Sequence, residues 1–96
     1  MEFLKYIENK LKISPKQKFV TIIGETPSRG ARSPLLWNNA YKKMKIKKKM
    51  FPADVRKKNL KKLVVSLRNN PNFLGSAITM PYKTAIIKYI DEIDKN

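Results

Sequence analysis

Gly75-Ser76-Ala77-Ile78-Thr79-Met80-Pro81-Tyr82-Lys83 is the stretch that decides how this 96-residue chain is read. A short apolar run ends in Thr-Met-Pro-Tyr-Lys. Pro81 has no N–H to give a strand ladder and suits the first turn of a helix. The segment therefore predicts a strand over Phe73 to Thr79 that passes directly into a helix over Thr84 to Asp94, with Ile86, Ile90 and Ile93 inward. Thr79 then lies at the C-terminal end of a strand and Lys83 in the first turn of the next helix. In an open α/β sheet, that edge is where ligands bind. A cation near a helix N-terminus also works against the helix dipole, which calls for a compensating anion or a ligand.

Working toward the N-terminus, the same grammar repeats. Asn69-Asn70-Pro71-Asn72 is a loop. Leu60, Leu63, Val64 and Leu67 form an i, i+3, i+4, i+7 stripe, so a helix precedes that loop, with Asn59 as its cap. Lys48 to Val55 is a weaker strand, and Pro52 assigns it to an edge or a bulge. Ser33-Pro34 opens a helix with Ser as N-cap and Pro at the first helical position. In that helix Leu36, Ala40 and Met44 share one face, and Trp37 and Tyr41 a neighbouring one; rings at this spacing read as core rather than as a stacking platform. Phe19-Val20-Thr21-Ile22-Ile23-Gly24 is β-rich and almost continuously apolar, as a central parallel strand buried on both faces must be. Residues 1–13 place Leu4, Ile7 and Leu11 at helical spacing beside Phe3, and Pro15 ends that short amphipathic helix. The fold class is thus α/β: a three-layer β-α-β-α-β-α domain, its mostly parallel sheet flanked by helices and joined by right-handed crossovers, preceded by a short N-terminal helix. Residues 1–16 form that helix and its linker, and 17–96 the domain.

Composition narrows the chemistry. There is no Cys and no His, so disulfides, thiolate catalysis and the commonest general base and metal ligand are excluded. The carboxylates Asp91, Glu92 and Asp94 have no ligand set around them, and no metal site is expected. The start lacks a signal-peptide pattern and no apolar run is long enough for a bilayer, which leaves a cytoplasmic protein and no membrane as the expectation. The net charge is +15, but 18 of the 22 basic residues are Lys. Base-reading sites lean on Arg, and these lysines alternate with core-type residues, so a nucleic-acid partner is not the preferred reading.

The loop Gly24 to Pro34 follows a strand and opens a helix, yet it is no phosphate loop, because Gly24 and Gly30 are six apart and no Lys follows. Ser33, Arg29 and Arg32 at the helix start still make a corner that suits a carboxylate. Ser33 serves there equally as a plain N-cap.

The run Gly24…Pro27…Ser33-Pro34…Asn38-x-Ala40-Tyr41, followed by Phe73-x-Gly75-x-x-Ile78-Thr79-Met80-Pro81-Tyr82-Lys83, resembles the shikimate dehydrogenase family over its N-terminal, substrate-binding domain. The resemblance implies that Ser33 contacts the ligand carboxylate, that Thr79 contacts the substrate, and that Lys83 is the catalytic lysine, working with an Asp at the hydroxyl being oxidised. The family's first motif serine falls on Ala31 and its Asn before the Thr on Ala77, and Arg29 and Arg32 are candidates to compensate at the carboxylate. The family's catalytic Asp and nicotinamide domain would follow Asn96. No cofactor is therefore expected on residues 1–96, and NADP is implied for a nucleotide-binding domain or partner subunit. The implied ligand is a small hydroxy-acid of the shikimate kind. Two other readings stand beside this one: a basic nucleic-acid-binding module, and an assembly domain that forms a homodimer through residues 1–13 or an uncovered sheet edge.

Overall fold

Three strands, β1 (Lys18–Gly24), β2 (Lys48–Asp54) and β3 (Phe73–Ile78), form a fully parallel sheet in the order β2-β1-β3. The computed structural model describes residues 2–79, 81–83 and 85–87. Helices α1 (Pro27–Gly30), α2 (Ser33–Lys43) and α3 (Leu60–Arg68) occupy the connections. β1 is central because its side chains are apolar on both faces. Phe19 and Ile23 join the larger core beneath α3, and Ile22 joins Tyr41 and Met50 beneath α2. This is the three-layer α/β arrangement that the strand–helix alternation predicts. β2 contains Pro52 and takes an edge, as expected of a residue that cannot donate to a ladder. Between β1 and β3 the register shifts after Phe19, and Leu74 is the extra residue of the bulge.

Helix α3 buries Leu60, Leu63, Val64 and Leu67, the stripe read from its periodicity. Each such side chain contributes on the order of 1.5–3 kcal/mol when fully removed from water. Asn59 stands at the N-cap, but its side chain makes no capping bond; a 3-10 turn, Lys57–Asn59, leads into the helix instead.

Helix α2 departs from expectation. Arg32, not Ser33, occupies the N-cap, and no side chain caps the helix. Its inward residue is Tyr41, while Leu36, Trp37 and Met44 are exposed. The reason is Asn38, whose carboxamide accepts from the Met50 N–H at 2.7 Å and donates to the Met50 carbonyl at 3.0 Å. That pair rotates α2 so that Asn38 and Tyr41 face β2, and the Leu36–Ala40–Met44 face turns away. Trp37 leans on Tyr41 with ring centroids 5.9 Å apart. At the C-terminus of α2, Lys45 adopts φ 57°. The Ile46 N–H reaches the Tyr41 carbonyl at 2.9 Å and the Lys45 N–H the Lys42 carbonyl at 3.2 Å, a Schellman closure with lysine where glycine is usual.

The N-terminal helix is shorter and tighter than its spacing predicts: a 3-10 helix over Glu2–Tyr6. Phe3 stacks on Phe19 at 5.2 Å, and Ile7, Leu11 and Ile13 follow it onto the core. Asn9 ends the helical path by bonding β2, donating to the Pro52 carbonyl at 2.9 Å and accepting from the Asp54 N–H at 2.7 Å. At the other end, Lys83 and residues 85–87 are helical. The rest of the helix expected over Thr84 to Asp94, with Ile90, Ile93, Asp91, Glu92 and Asp94, lies outside the described residues. Among the described residues no helix is long and apolar enough to cross a membrane.

Candidate functional site

The C-terminal ends of all three strands lie on one edge of the sheet, because the strands are parallel. The loop after β1, the segment after β2 and the junction after β3 therefore meet there. The ladder continues one residue past β3: the Thr79 N–H donates to the Ile23 carbonyl at 2.8 Å, and the Thr79 hydroxyl lies 3.3 Å from the same oxygen. That hydroxyl fills the space beside Gly24, where a Cβ would fall 2.0 Å from it. Glycine is thus required at the end of β1 by close approach, and the two motifs of the sequence touch at this point.

Beyond Thr79 the chain turns, with the Tyr82 N–H donating to the Thr79 carbonyl at 3.0 Å, and becomes helical, with the Ile86 N–H donating to the Tyr82 carbonyl at 2.9 Å. Tyr82 anchors the turn. Its ring is buried, and its hydroxyl donates to the Val55 carbonyl at 2.7 Å. Burial, and secondarily the negative charge of Glu25, push the Tyr82 phenol above its ordinary value of 10.0. Lys83, the next residue, is exposed on the first helical turn.

Asp54 is the functional-edge residue that sequence reasoning missed. It is buried at the end of β2, and its carboxylate accepts from the Ser28 N–H at 2.9 Å and from the Ser28 hydroxyl. These bonds fasten the one-turn helix α1 to β2 and so shape the loop that leads to Ser33. The only hint in the sequence is an acidic residue in a β-run, where Asp is disfavoured unless it has work at the strand end.

A cleft of about 590 Å³ opens on this edge, lined among others by Arg29, Glu25, Asp54, Arg56, Pro81 and Tyr82. Of the candidate side chains, Arg29 lines it. Ser33 starts α2, Arg32 precedes it, and Thr79 and Lys83 flank Pro81 and Tyr82; all four stand on the same edge outside that lining. Ala31 packs partly buried beside the smaller core, and Ala77 is exposed on β3. The charges are mixed. Arg56 is paired with Glu8 at 3.0 Å, and Asp54 is held by Ser28, which leaves Arg29 and Lys57 as cations of the cleft facing Glu25. A mixed rim of this kind suits a small polar anion bearing hydroxyls. Among the described residues no group of three His, Cys, Asp or Glu side chains is placed to hold a metal.

Known proteins share this arrangement. The family model described as the shikimate dehydrogenase substrate binding domain matches residues 22–96. The shikimate dehydrogenase (NADP(+)) of Methanococcus maripaludis strain S2 is 43% identical over 82 residues, covering 85% of this chain and 29% of that protein. The enzyme of the same name from Methanosphaera stadtmanae is 40% identical over 83 residues, covering 86% of this chain and 29% of that protein. A crystal structure of a shikimate dehydrogenase in complex with NADP+ superposes with a TM-score of 0.71 at 28% identity, over 81% of this chain and 26% of that one. The chain therefore spans under a third of the length of the relatives it matches. With the family model covering most of the sequence, and both motifs brought together at the Gly24–Thr79 contact, the chain belongs to the shikimate dehydrogenase substrate-binding domain family.

Proposed function

We propose that this domain holds the hydroxy-acid substrate of a shikimate-dehydrogenase-type oxidoreductase, with shikimate, 3-dehydroshikimate or a close relative such as quinate as the ligand. In this reading Ser33 and Thr79 contact the ligand, Arg29 and Arg32 take over carboxylate contacts where Ala31 and Ala77 stand in family polar positions, and Lys83 exchanges a proton with the oxygen of the reacting hydroxyl. The observation that carries the reading is the contact of Gly24 with Thr79, which joins the Ser33 loop and the Lys83 turn at one sheet edge. The amine of Lys83 is exposed and so free to meet an incoming ligand.

Residues 1–96 contain no Gly-x-Gly-x-x-Gly fingerprint after a strand, so they do not themselves fit a dinucleotide. NADP is assigned to a nucleotide-binding domain, on the same polypeptide or on a partner subunit, where it supplies the redox chemistry. The absence of Cys agrees with a reducing, cytoplasmic setting.

The test is a titration with shikimate, quinate and 3-dehydroshikimate followed by amide NMR shifts and calorimetry. Saturable shifts at Ser33, Thr79 and Lys83 are expected for at least one of the three. No saturable response to any of them overturns the proposal. A basic nucleic-acid module, the other reading of the charge, predicts instead RNA or DNA binding that weakens steeply with salt.

A further inference from the structure

Helix α2 carries an apolar stripe that nothing among the described residues covers. Leu36, Ala40 and Met44 follow at i, i+4 and i+8, with Trp37 beside Leu36; Leu36 is 64%, Trp37 50% and Met44 56% exposed. The i±4 row is the ridge by which one helix seats in the groove of another. The surroundings carry one sign of charge. From Glu25 to Asp54 the intervening sequence contains eight Lys or Arg and no Asp or Glu. Beside the C-terminal half of α2 a cleft of about 590 Å³ is walled by Lys42, Lys47, Lys48 and Lys49.

We infer that the outer face of α2 is a docking surface for an amphipathic helix of another protein, one with an apolar seam for Leu36 and Met44 and acidic flanks for the lysines. Charge decides between occupants. A second copy would bring its own lysines against these, at a cost for each like-charge contact. A single-stranded nucleic acid needs exposed rings to stack its bases, but Tyr41 is buried, with the Lys48 ammonium 4.7 Å over its ring, and Trp37 leans on it. The stripe is one helix-contact wide, which matches a helix better than a bilayer surface, where a broad apolar face is required. An acidic-flanked helix satisfies both the ridge and the cations.

Trp37 is the single tryptophan of the chain and sits in the stripe, so its emission reports occupancy directly. The full chain is titrated with a synthetic amphipathic helix whose Leu/Ala seam is flanked by Glu, and with the same seam flanked by Lys. The Glu peptide is expected to shift Trp37 emission to the blue saturably, with affinity falling by about tenfold or more as salt rises from about 50 to 300 mM. The variant Met44→Glu, at an exposed position that leaves the core intact, is expected to abolish the shift while its circular dichroism stays that of the parent. The inference is overturned by an absent shift with the Glu peptide, by an equal response to the Lys peptide, or by a full response in Met44→Glu. It is equally overturned if phosphatidylcholine/phosphatidylglycerol vesicles or poly-U produce a larger shift than the peptide, or if sedimentation shows that the chain alone pairs through this face. None of these outcomes depends on shikimate binding.

Discussion

Gly24 and Thr79 meet because two parallel strands end side by side and one of them has no side chain. Replacing Gly24 by Ala sets a methyl group 2.0 Å from the Thr79 hydroxyl, so the Thr79 side chain or the whole junction must move. Overpacking of this kind costs about 1–3 kcal/mol. Gly24→Ala is expected to lower the urea midpoint accordingly and to weaken the ligand response at Thr79 and Lys83. The double variant Gly24→Ala/Thr79→Ala should recover much of the stability, since the clashing oxygen is gone; a purely additive result in that cycle would refute the contact. Tyr82 works at the same scale. Its hydroxyl satisfies the carbonyl of Val55, a buried residue, and Tyr82→Phe is expected to cost about 1 kcal/mol or somewhat more, as a buried acceptor loses its donor. The pH dependence follows from the direction of its shift. The phenol is raised in the folded state above its ordinary 10.0, so its contribution is fully present below pH 10 and is lost as pH rises through the folded value. Thermal melts above pH 10 should therefore show a decline in the parent that is smaller in Tyr82→Phe; parallel declines would contradict the assignment.

At the scale of the elements, the outer edge of β2 is closed by side chains that imitate a strand. Asn38 bonds both the N–H and the carbonyl of Met50, and Asn9 bonds the Pro52 carbonyl and the Asp54 N–H. Gln17 adds the Lys47 carbonyl, the Glu8 N–H takes the Asp54 carbonyl at 2.7 Å, and Pro52 has no N–H to satisfy. Edges left open are templates for pairing with another chain, and here carboxamides, lysines and a proline blunt one of them. β3, by contrast, has no second neighbour among the described residues. Asn38→Leu keeps the bulk of the side chain and removes both bonds. It is expected to destabilise the domain by about 1–3 kcal/mol in chemical denaturation, and to raise the tendency to associate in sedimentation. If that variant is as stable as the parent and monodisperse, the edge is not held by Asn38. α1 shows the same logic on a smaller scale, since a one-turn helix is marginal in isolation and is held here by Asp54 on Ser28.

At the scale of the whole molecule, three loops that are far apart in sequence become one edge, and the ligand titration of Ser33, Thr79 and Lys83 belongs to this scale because no single element holds the site. The central strand Phe19 to Gly24, the stripe of α3 and the strand-to-helix junction at Pro81 were legible in the sequence. Each is a local property: hydrophobic period, proline chemistry and loop composition act within a few residues. The order of elements, the α/β class and the two family motifs followed from them. The outward turn of Leu36 and Met44, the closure of β2 by Asn9 and Asn38, the tether from Asp54 to Ser28, and the demand for glycine at position 24 were decided only by the tertiary structure. In each of these cases the partner lies 12 or more residues away, and a side chain's period says which face it shares but not what that face will meet.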